Sequence, residues 1–499
     1  MQHRTRWFAS ILFILATSAS HAAAQAPVLP DKPPLTHTAA AARADLAELY
    51  KTLRASHFDL FVHRSKAEYD ARYAALRRHF DKSFSHFELQ VALQKFMAFG
   101  RVAHSRIDFP SLEFERYRAT GGGILPVQLK VRDGRAYVVA DQGDSADPAI
   151  TAGEEITAIN GAPFPQWRRR LLAHISADND RLADTLLELR FGALLWIELG
   201  PVENFDLRLT SSDGTSRSLT RHSRSRESMQ ASLARQPKRL ELDWSKREAR
   251  MLDAGIAYLR PGPFFDDRPD AANMWDPSDF ATFIDTSMAG FAQAAARSLV
   301  IDLRDNPGGD NSFSDLLARR YADQQFRFAS TFTIKVSKAA AASNAKRMQP
   351  GDTGISAQFA KAYAAHEPGE IIEFPIETVD PAPAAERFKG RVFVLINRYT
   401  YSNSVMLAAL SQDFHFATIL GEETADLAST YGAMEQFTLS RSGIVVGFPK
   451  AHLIRPSGDE AARGVIPDIA IESPLLEGSE DPVLRRALTI VTDASKMQN

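Results

Sequence analysis

The residues best suited to chemistry share one corner of the chain. Val392 to Ile396 is a short apolar run of strand type, Asn397 to Ser404 is a polar corner, and Val405 to Leu410 reads as a helix. Ser402 therefore falls at a strand-to-helix turn. A hydroxyl there is exposed at the carboxyl edge of a sheet, and the first helical N–H groups, with the macrodipole, favour the negative charge that develops in acyl transfer. Ser is also a preferred helix N-cap, so a structural cap accounts for the same residue. About a hundred residues earlier, Ser298 to Leu303 is apolar and runs into Arg304-Asp305-Asn306-Pro307-Gly308-Gly309-Asp310, which reads as a buried strand ending in a tight loop. Paired glycines let main-chain N–H groups approach a ligand closely, as an oxyanion hole made from backbone requires.

Taken together, the two segments resemble the central motifs of the C-terminal processing peptidases, the serine-protease family that includes tail-specific protease and the tricorn core. Three more segments match in the family's order: Ala254-Gly255-Ile256-Ala257-Tyr258-Leu259-Arg260, Gly421-Glu422-Glu423-Thr424, and Arg463-Gly464-Val465-Ile466-Pro467-Asp468-Ile469. The resemblance implies that Ser402 is the nucleophile and that the N–H groups of Gly308, Gly309 and Asn403 hold the oxyanion. In the tail-specific branch a lysine twenty-five positions on is the partner; that position is Leu427 here, and no lysine lies between Ser402 and Lys450. The tricorn-like branch takes its base from a histidine nearer the N-terminus, and Gly100-Arg101-Val102-Ala103-His104-Ser105-Arg106-Ile107-Asp108-Phe109-Pro110 is similar to that segment, with a short apolar strand expected after the histidine. His104 is thus the candidate general base, since an imidazole of ordinary pKa, about 6.5, takes up the serine proton and returns it to a leaving amine. The family's third member is a glutamate ahead of the Gly-Val-x-Pro-Asp segment. Its expected place is Ala461, so Glu460 corresponds with a shift of one residue; Asp459 is the fallback, and a solvated acidic turn is the other reading. Asp413 matches an acidic residue of the family at a helix end and reads as structural support.

The N-terminus carries His3, Arg4 and Arg6, an apolar stretch from Trp7 to Ala16, and Ala22-Ala23-Ala24. This is the pattern of a secretory signal peptide cleaved after Ala24, with an apolar part too short for a membrane span. No cysteine is present, which excludes disulfides and lipid attachment at a thiol. The expectation is a periplasmic or secreted protein with no integral span after signal removal. A formal net charge of −2 gives no electrostatic footprint for nucleic acid. Arg221, His222, Arg224 and Arg226 form a local basic cluster in the Ser-rich stretch Ser216 to Ser232 and read as an exposed linker. His57, His63 and His86 have no metal-like spacing with carboxylates, so a zinc site is not expected.

The chain divides in sequence into a signal peptide (1–24), a Pro-rich tether (25–38), a helical region (39–118) carrying His104, a domain at 119–222, a linker (223–239), a core (240–476) and a C-terminal helix (477–499). Leu46, Leu49, Tyr50 and Leu53, then Tyr69, Tyr73 and Leu76, place apolar faces on the first helices. Ile150 to Gly161 resembles the Gly-Asp-x-Ile-x-x-Ile-Asn-Gly hairpin of PDZ domains, with Glu154 for the usual Asp; such modules add a peptide strand to a sheet edge. From Leu240 to Ser473 short apolar strands alternate with helical stretches, as in a mostly parallel sheet. Ser337 to Ala365 interrupts that order as a helical insertion expected over the active site, and Met434 to Leu439 with Val445 to Pro449 suggests a hairpin returning to the sheet. The resemblance implies an α/β multidomain fold with a ClpP/crotonase-like core, an N-terminal helical cap and a PDZ-like domain. It also implies cofactor-free hydrolysis of unfolded or short polypeptides by an exported serine endopeptidase or carboxyl-end-directed protease. The alternative is a catalytically inactive ligand- or peptide-binding protein on the same fold, and hydrolysis of a non-peptide ester or amide is a third possibility.

Overall fold

The computed structural model describes residues 35–348, 351 and 353–496. The signal peptide expected at 1–24 and the tether up to residue 34 lie outside them. The chain forms two compact units: one takes the N-terminal part to Pro237 with Ile334–Ile372 and Tyr431–Ala451, the other Lys238–Thr333, Glu373–Thr430 and the part from His452 onward. The segment 240–476, expected to be one continuous core, is thus shared between them.

In the second unit, six strands lie in the spatial order Ile469–Ala470, Thr418–Gly421, Arg391–Ile396, Ser298–Asp302, Ile256–Arg260 and Glu248–Leu252. The pairings are parallel from Ile469–Ala470 through Ile256–Arg260, and only Glu248–Leu252 at the edge runs antiparallel. Strands buried on both faces need apolar side chains at successive positions, which is why these segments read as unbroken apolar runs. Leu299, Ile301, Val394, Ile396 and Ile419 point to one cluster with the helices Ser278–Gln293, Asn311–Ala318 and Asn403–Asp413. Val300, Phe393, Leu395 and Leu420 point the other way, to Val483, Ala487 and Val491 of the C-terminal helix Pro482–Lys496. That helix is pinned by a buried charge relay, in which Arg304 bonds Asp302 at 2.7 Å and Asp481 at 2.7 Å.

In the first unit, the helices Ala39–Ser56, Lys66–His79 and His86–Ala98 close on Leu46, Leu49, Tyr50, Leu53 and Tyr69, the positions their spacing predicts. Capping boxes at Ser65/Glu68 and Ser85/Glu88 start the second and third of them. The same cluster includes Ala340 of the insertion and Leu439, Ile444, Val446 and Phe448. Ser337 to Ala365 does form helices, Lys338–Ala345 and Ile355–Ala365. The strands Thr430–Thr438 and Val445–Ile454 are neighbours in a separate four-stranded sheet and do not rejoin the parallel one. Their alternating apolar residues are matched to the N-terminal helices, a choice of partner that periodicity cannot express.

The antiparallel sheet of Val127–Arg132, Arg135–Asp141, Glu155–Ile159, Asn204–Thr210 and Ser216–His222 accounts for 119–222, with the helices Phe164–Leu172 and Asp180–Leu199. Glu154 caps its loop, accepting from Thr151 N–H at 2.7 Å and pairing with Arg217 at 2.7 Å. The basic cluster is not a linker but spans the end of a strand and the start of a helix; His222 and Arg226 are exposed as expected, whereas Arg221 and Arg224 are not. Arg221 is fully buried in a strand, bonded to Asp141 at 2.9 Å, and Arg224 pairs with Asp147 at 2.7 Å. Arg226 opens a helix, Arg226–Ala234, capped by Ser225. Two carboxylates distant in sequence make that burial possible. Among the described residues, no helix is long and apolar enough to cross a membrane.

Candidate active site

Because Ser298–Asp302 and Arg391–Ile396 are adjacent and parallel, the loops leaving their carboxyl ends meet, as in open α/β sheets generally. Side chains and main chain stitch the two loops together. Thr400 Oγ1 donates to Leu303 O at 2.8 Å, Asn397 Nδ2 to Asp305 Oδ1 at 2.6 Å, and Tyr401 N–H to Asn306 O at 3.0 Å. On the glycine loop, Asn306 Nδ2 donates to Gly262 O at 2.7 Å, while Phe264 N–H donates to Gly308 O and Asp310 N–H to Phe264 O, each at 2.9 Å.

Gly308 lies directly against the serine corner. A Cβ built on it meets Tyr401 O at 2.6 Å, Asn403 N at 2.7 Å and Ser402 Cβ at 3.0 Å, so only glycine leaves room. Gly308 and Gly309 have φ of 82° and 143°, the region glycine alone enters freely. Of the three expected oxyanion donors, Gly308 N–H already donates to Asn306 Oδ1 at 3.0 Å. The N–H groups of Gly309 and Asn403 remain, each without a hydrogen bond among the described residues. Asn403 is fixed through its side chain, whose Nδ2 donates to Ser314 Oγ at 2.9 Å.

Ser402 occupies the position before the helix Asn403–Asp413, yet its hydroxyl makes no capping bond. The bland explanation of this serine thus lacks the contact that defines a cap. Its backbone sits at φ 54° and ψ −125°, a conformation that costs a non-glycine residue about 1–3 kcal/mol and persists only where surroundings impose it. The half-buried side chain is presented at the sharp turn. Its main-chain N–H donates to Asp426 Oδ2 at 2.7 Å. Sequence reasoning missed Asp426; the one signal available was an acidic residue in the turn where the resemblance sets a lysine. Leu427, at the lysine's place, is buried and apolar. Asp413 closes the far end of the helix, taking a bidentate bond from Arg455 at 2.7 and 3.0 Å and another from Ser457 N–H at 2.9 Å.

Ser404, two residues on, is fully buried, and its Oγ has no hydrogen-bond partner among the described residues. A buried hydroxyl without a partner destabilises a fold. Ser404→Ala is expected to leave stability unchanged or raise it by up to about 1 kcal/mol, read as a higher melting temperature with activity intact. A clear fall in melting temperature refutes this.

His104 belongs to the first unit. It sits in a tight turn held by Ala103 N–H donating to Asp178 Oδ2 at 3.2 Å, by Ser176 Oγ donating to Ser105 O at 2.6 Å, and by reciprocal main-chain bonds of Arg106 with Gly447 at 3.0 and 2.8 Å. The strand expected after it shrinks to that single bridge, because Pro110 follows and supplies no donor. The ring keeps some exposure to solvent, but the protein packed around it pulls its pKa down to about 4; positive Arg106 acts in the same direction, and a hydrogen bond with the main chain of Tyr431 opposes both. At neutral pH the imidazole is therefore uncharged, the form a general base requires. Glu460 is exposed and makes no hydrogen bond or ion pair among the described residues, whereas Asp459 accepts from Arg463 at 2.8 Å and from Ala461 N–H at 2.9 Å.

A strained serine at the carboxyl edge of a parallel sheet, set against a glycine corner, is an arrangement suited to serine-type hydrolysis. Residues 270–471 match the model of Peptidase family S41. The chain carries a domain of that family and is a serine-type peptidase. Two solved structures share its fold: mature CPAF complexed with lactacystin, at 17% identity with 92% of this chain and 98% of that chain covered (TM-score 0.60), and mature CPAF, at 16% identity with 91% and 96% covered (TM-score 0.58). No curated protein matches the sequence.

Proposed function

We propose that the protein is an exported serine peptidase that hydrolyses peptide bonds of unfolded or short polypeptides, as an endopeptidase or from the carboxyl end. In this reading Ser402 attacks the scissile carbonyl, His104 takes the hydroxyl proton and returns it to the leaving amine, and the N–H groups of Gly309 and Asn403 bind the oxyanion, with Gly308 shaping the corner beside them. Glu460 is the acid assigned to orient the imidazole, on the strength of its place ahead of Gly464-Val465, with Asp459 in reserve. The PDZ-like reading of 119–222 supplies a peptide edge, and the N-terminal signal pattern supplies export to the periplasm or beyond. The observation that carries the reading is Ser402 itself, a strained corner residue whose hydroxyl caps nothing.

A fluorophosphonate probe tests it. Wild-type protein is expected to be labelled at Ser402, as mapped by mass spectrometry, and His104→Ala to slow labelling by about 10²- to 10⁴-fold, the usual contribution of a general base. Labelling of folded protein at another residue, or at an unchanged rate without His104, rejects the assignment. Complete absence of labelling, with an affinity for peptide that survives Ser402→Ala, establishes the binding protein instead.

A further inference from the structure

The contact between Asp426 and Ser402 goes beyond the nucleophile, base and oxyanion donors of that proposal. Asp426 is 1% exposed and follows the strand Thr418–Gly421 in the turn Glu422-Glu423-Thr424-Ala425-Asp426. One carboxylate oxygen accepts the N–H of Ser402 at 2.7 Å and the other accepts its neighbour Leu427 N–H at 3.0 Å. The turn is tied down in its own right: Thr424 Oγ1 donates to Asp426 O at 2.9 Å and accepts from Val465 N–H at 2.9 Å.

Burying a carboxylate against two neutral N–H groups is costly, and a main-chain carbonyl satisfies such groups at less cost. The acid therefore calls for a function at the place it touches. That place is the residue whose φ of 54° needs external support. The carboxylate also lies at the amino end of the helix Asn403–Asp413, where the macrodipole favours negative charge. With Ser402 N–H committed to Asp426, the oxyanion donors left are those of Gly309 and Asn403.

We propose that Asp426 is a positioning residue of the peptidase: its carboxylate clamps the main-chain N–H of Ser402 and so holds the strained corner on which the nucleophilic hydroxyl is presented. This rests on Ser402 being the nucleophile. The charge state of the clamp then governs the corner. Burial pushes the Asp426 carboxyl up to about 6, opposed by the hydrogen bonds from Ser402 and Leu427, and no charged side chain contributes. The ionised form, which accepts both N–H groups fully, is present above that value, and the clamp weakens as pH falls through it.

The test is kcat and KM for a peptide substrate, with fluorophosphonate labelling rates, from about pH 4 to 8 for wild type, Asp426→Asn and Asp426→Ala. Wild type is expected to show an acid limb in kcat centred near 6. Asp426→Asn, whose amide oxygen still accepts from Ser402, is expected to lose that limb and fall off only near 4, where His104 takes up its proton. Asp426→Ala is expected to lose about 10²-fold in kcat at pH 7 with little change in KM, the scale of a misplaced nucleophile. A crystal structure of Asp426→Ala gives a readout independent of turnover, with Ser402 relaxed from its positive φ. Variants that fold, react at the wild-type rate and keep the wild-type pH profile overturn the role of Asp426 while leaving Ser402 as nucleophile. Failure of wild type to react at Ser402 overturns both together.

Discussion

Ser402→Ala is expected to reduce peptide hydrolysis by about 10⁴-fold or more while leaving the fold intact. The first half follows from the absence of a substitute. Ser404 is the nearest serine in sequence, and it is fully buried. The second half follows from what the Ser402 side chain does not do: its hydroxyl caps no helix, and the N–H bond to Asp426 survives the substitution. Alanine meets the same positive φ with about the same strain, so the change in stability is expected to stay within about 0.5 kcal/mol. Hydrolysis of an unstructured peptide and a thermal melt on the same samples measure both halves. Persistent hydrolysis by pure variant protein removes Ser402 from the chemistry, whereas activity lost together with the cooperative melt shows only a structural role.

Gly309→Ala is the stability counterpart. A Cβ at this position lands 2.1 Å from Phe264 O and 2.5 Å from Phe264 C. Those are main-chain atoms of a segment held by bonds at 2.9 Å on either side, Phe264 N–H to Gly308 O and Asp310 N–H to Phe264 O, so neither side yields by turning a rotamer. The backbone φ of 143° adds a conformation that alanine resists. A loss of about 3 kcal/mol or more is expected, with the corner facing Ser402 displaced and labelling abolished. Chemical denaturation measures the first, and an unchanged midpoint contradicts the packing described for this loop. The same substitution at Gly143 serves poorly as a control, since a Cβ there meets the Arg221 guanidinium at 2.1 Å; Gly161, where a Cβ meets nothing within 4 Å, isolates the effect of positive φ alone, at 76°.

What sequence conveyed about this site was its local grammar. Val392 to Ile396, the polar corner and the helix beyond it are encoded by adjacent residues, and Pro307-Gly308-Gly309 announces its own turn. Both gain meaning from the parallel pairing of their strands, which the alternation of apolar strands and helical stretches from Leu240 to Ser473 implies. Asp426 was invisible because its role depends on a single main-chain contact made across the sheet edge, and an acid in a loop is ordinarily solvated. Arg221 was misread for the same reason: its partner Asp141 lies eighty residues away in the chain, and a charge in a Ser-rich stretch looks exposed until that partner is placed. The division of 240–476 between two units was equally silent. Val446 and Phe448 are apolar at alternate positions, and nothing in that alternation says that Leu46 and Leu49 wait for them.

That late completion has a bearing on biosynthesis. The helices Ala39–Ser56, Lys66–His79 and His86–Ala98 are made well before the residues that close the apolar face they share, Ala340 and then Leu439, Ile444, Val446 and Phe448. About 350 residues must follow the third of these helices before they have their full core, so the nascent chain carries an open hydrophobic surface through that stretch of its synthesis. Closing contacts over such separations is entropically demanding and slow. A chain cut near Pro237 keeps every N-terminal helix but lacks the segments 334–372 and 431–451 that complete its compact unit, so it is expected to melt at a lower temperature than the complete protein.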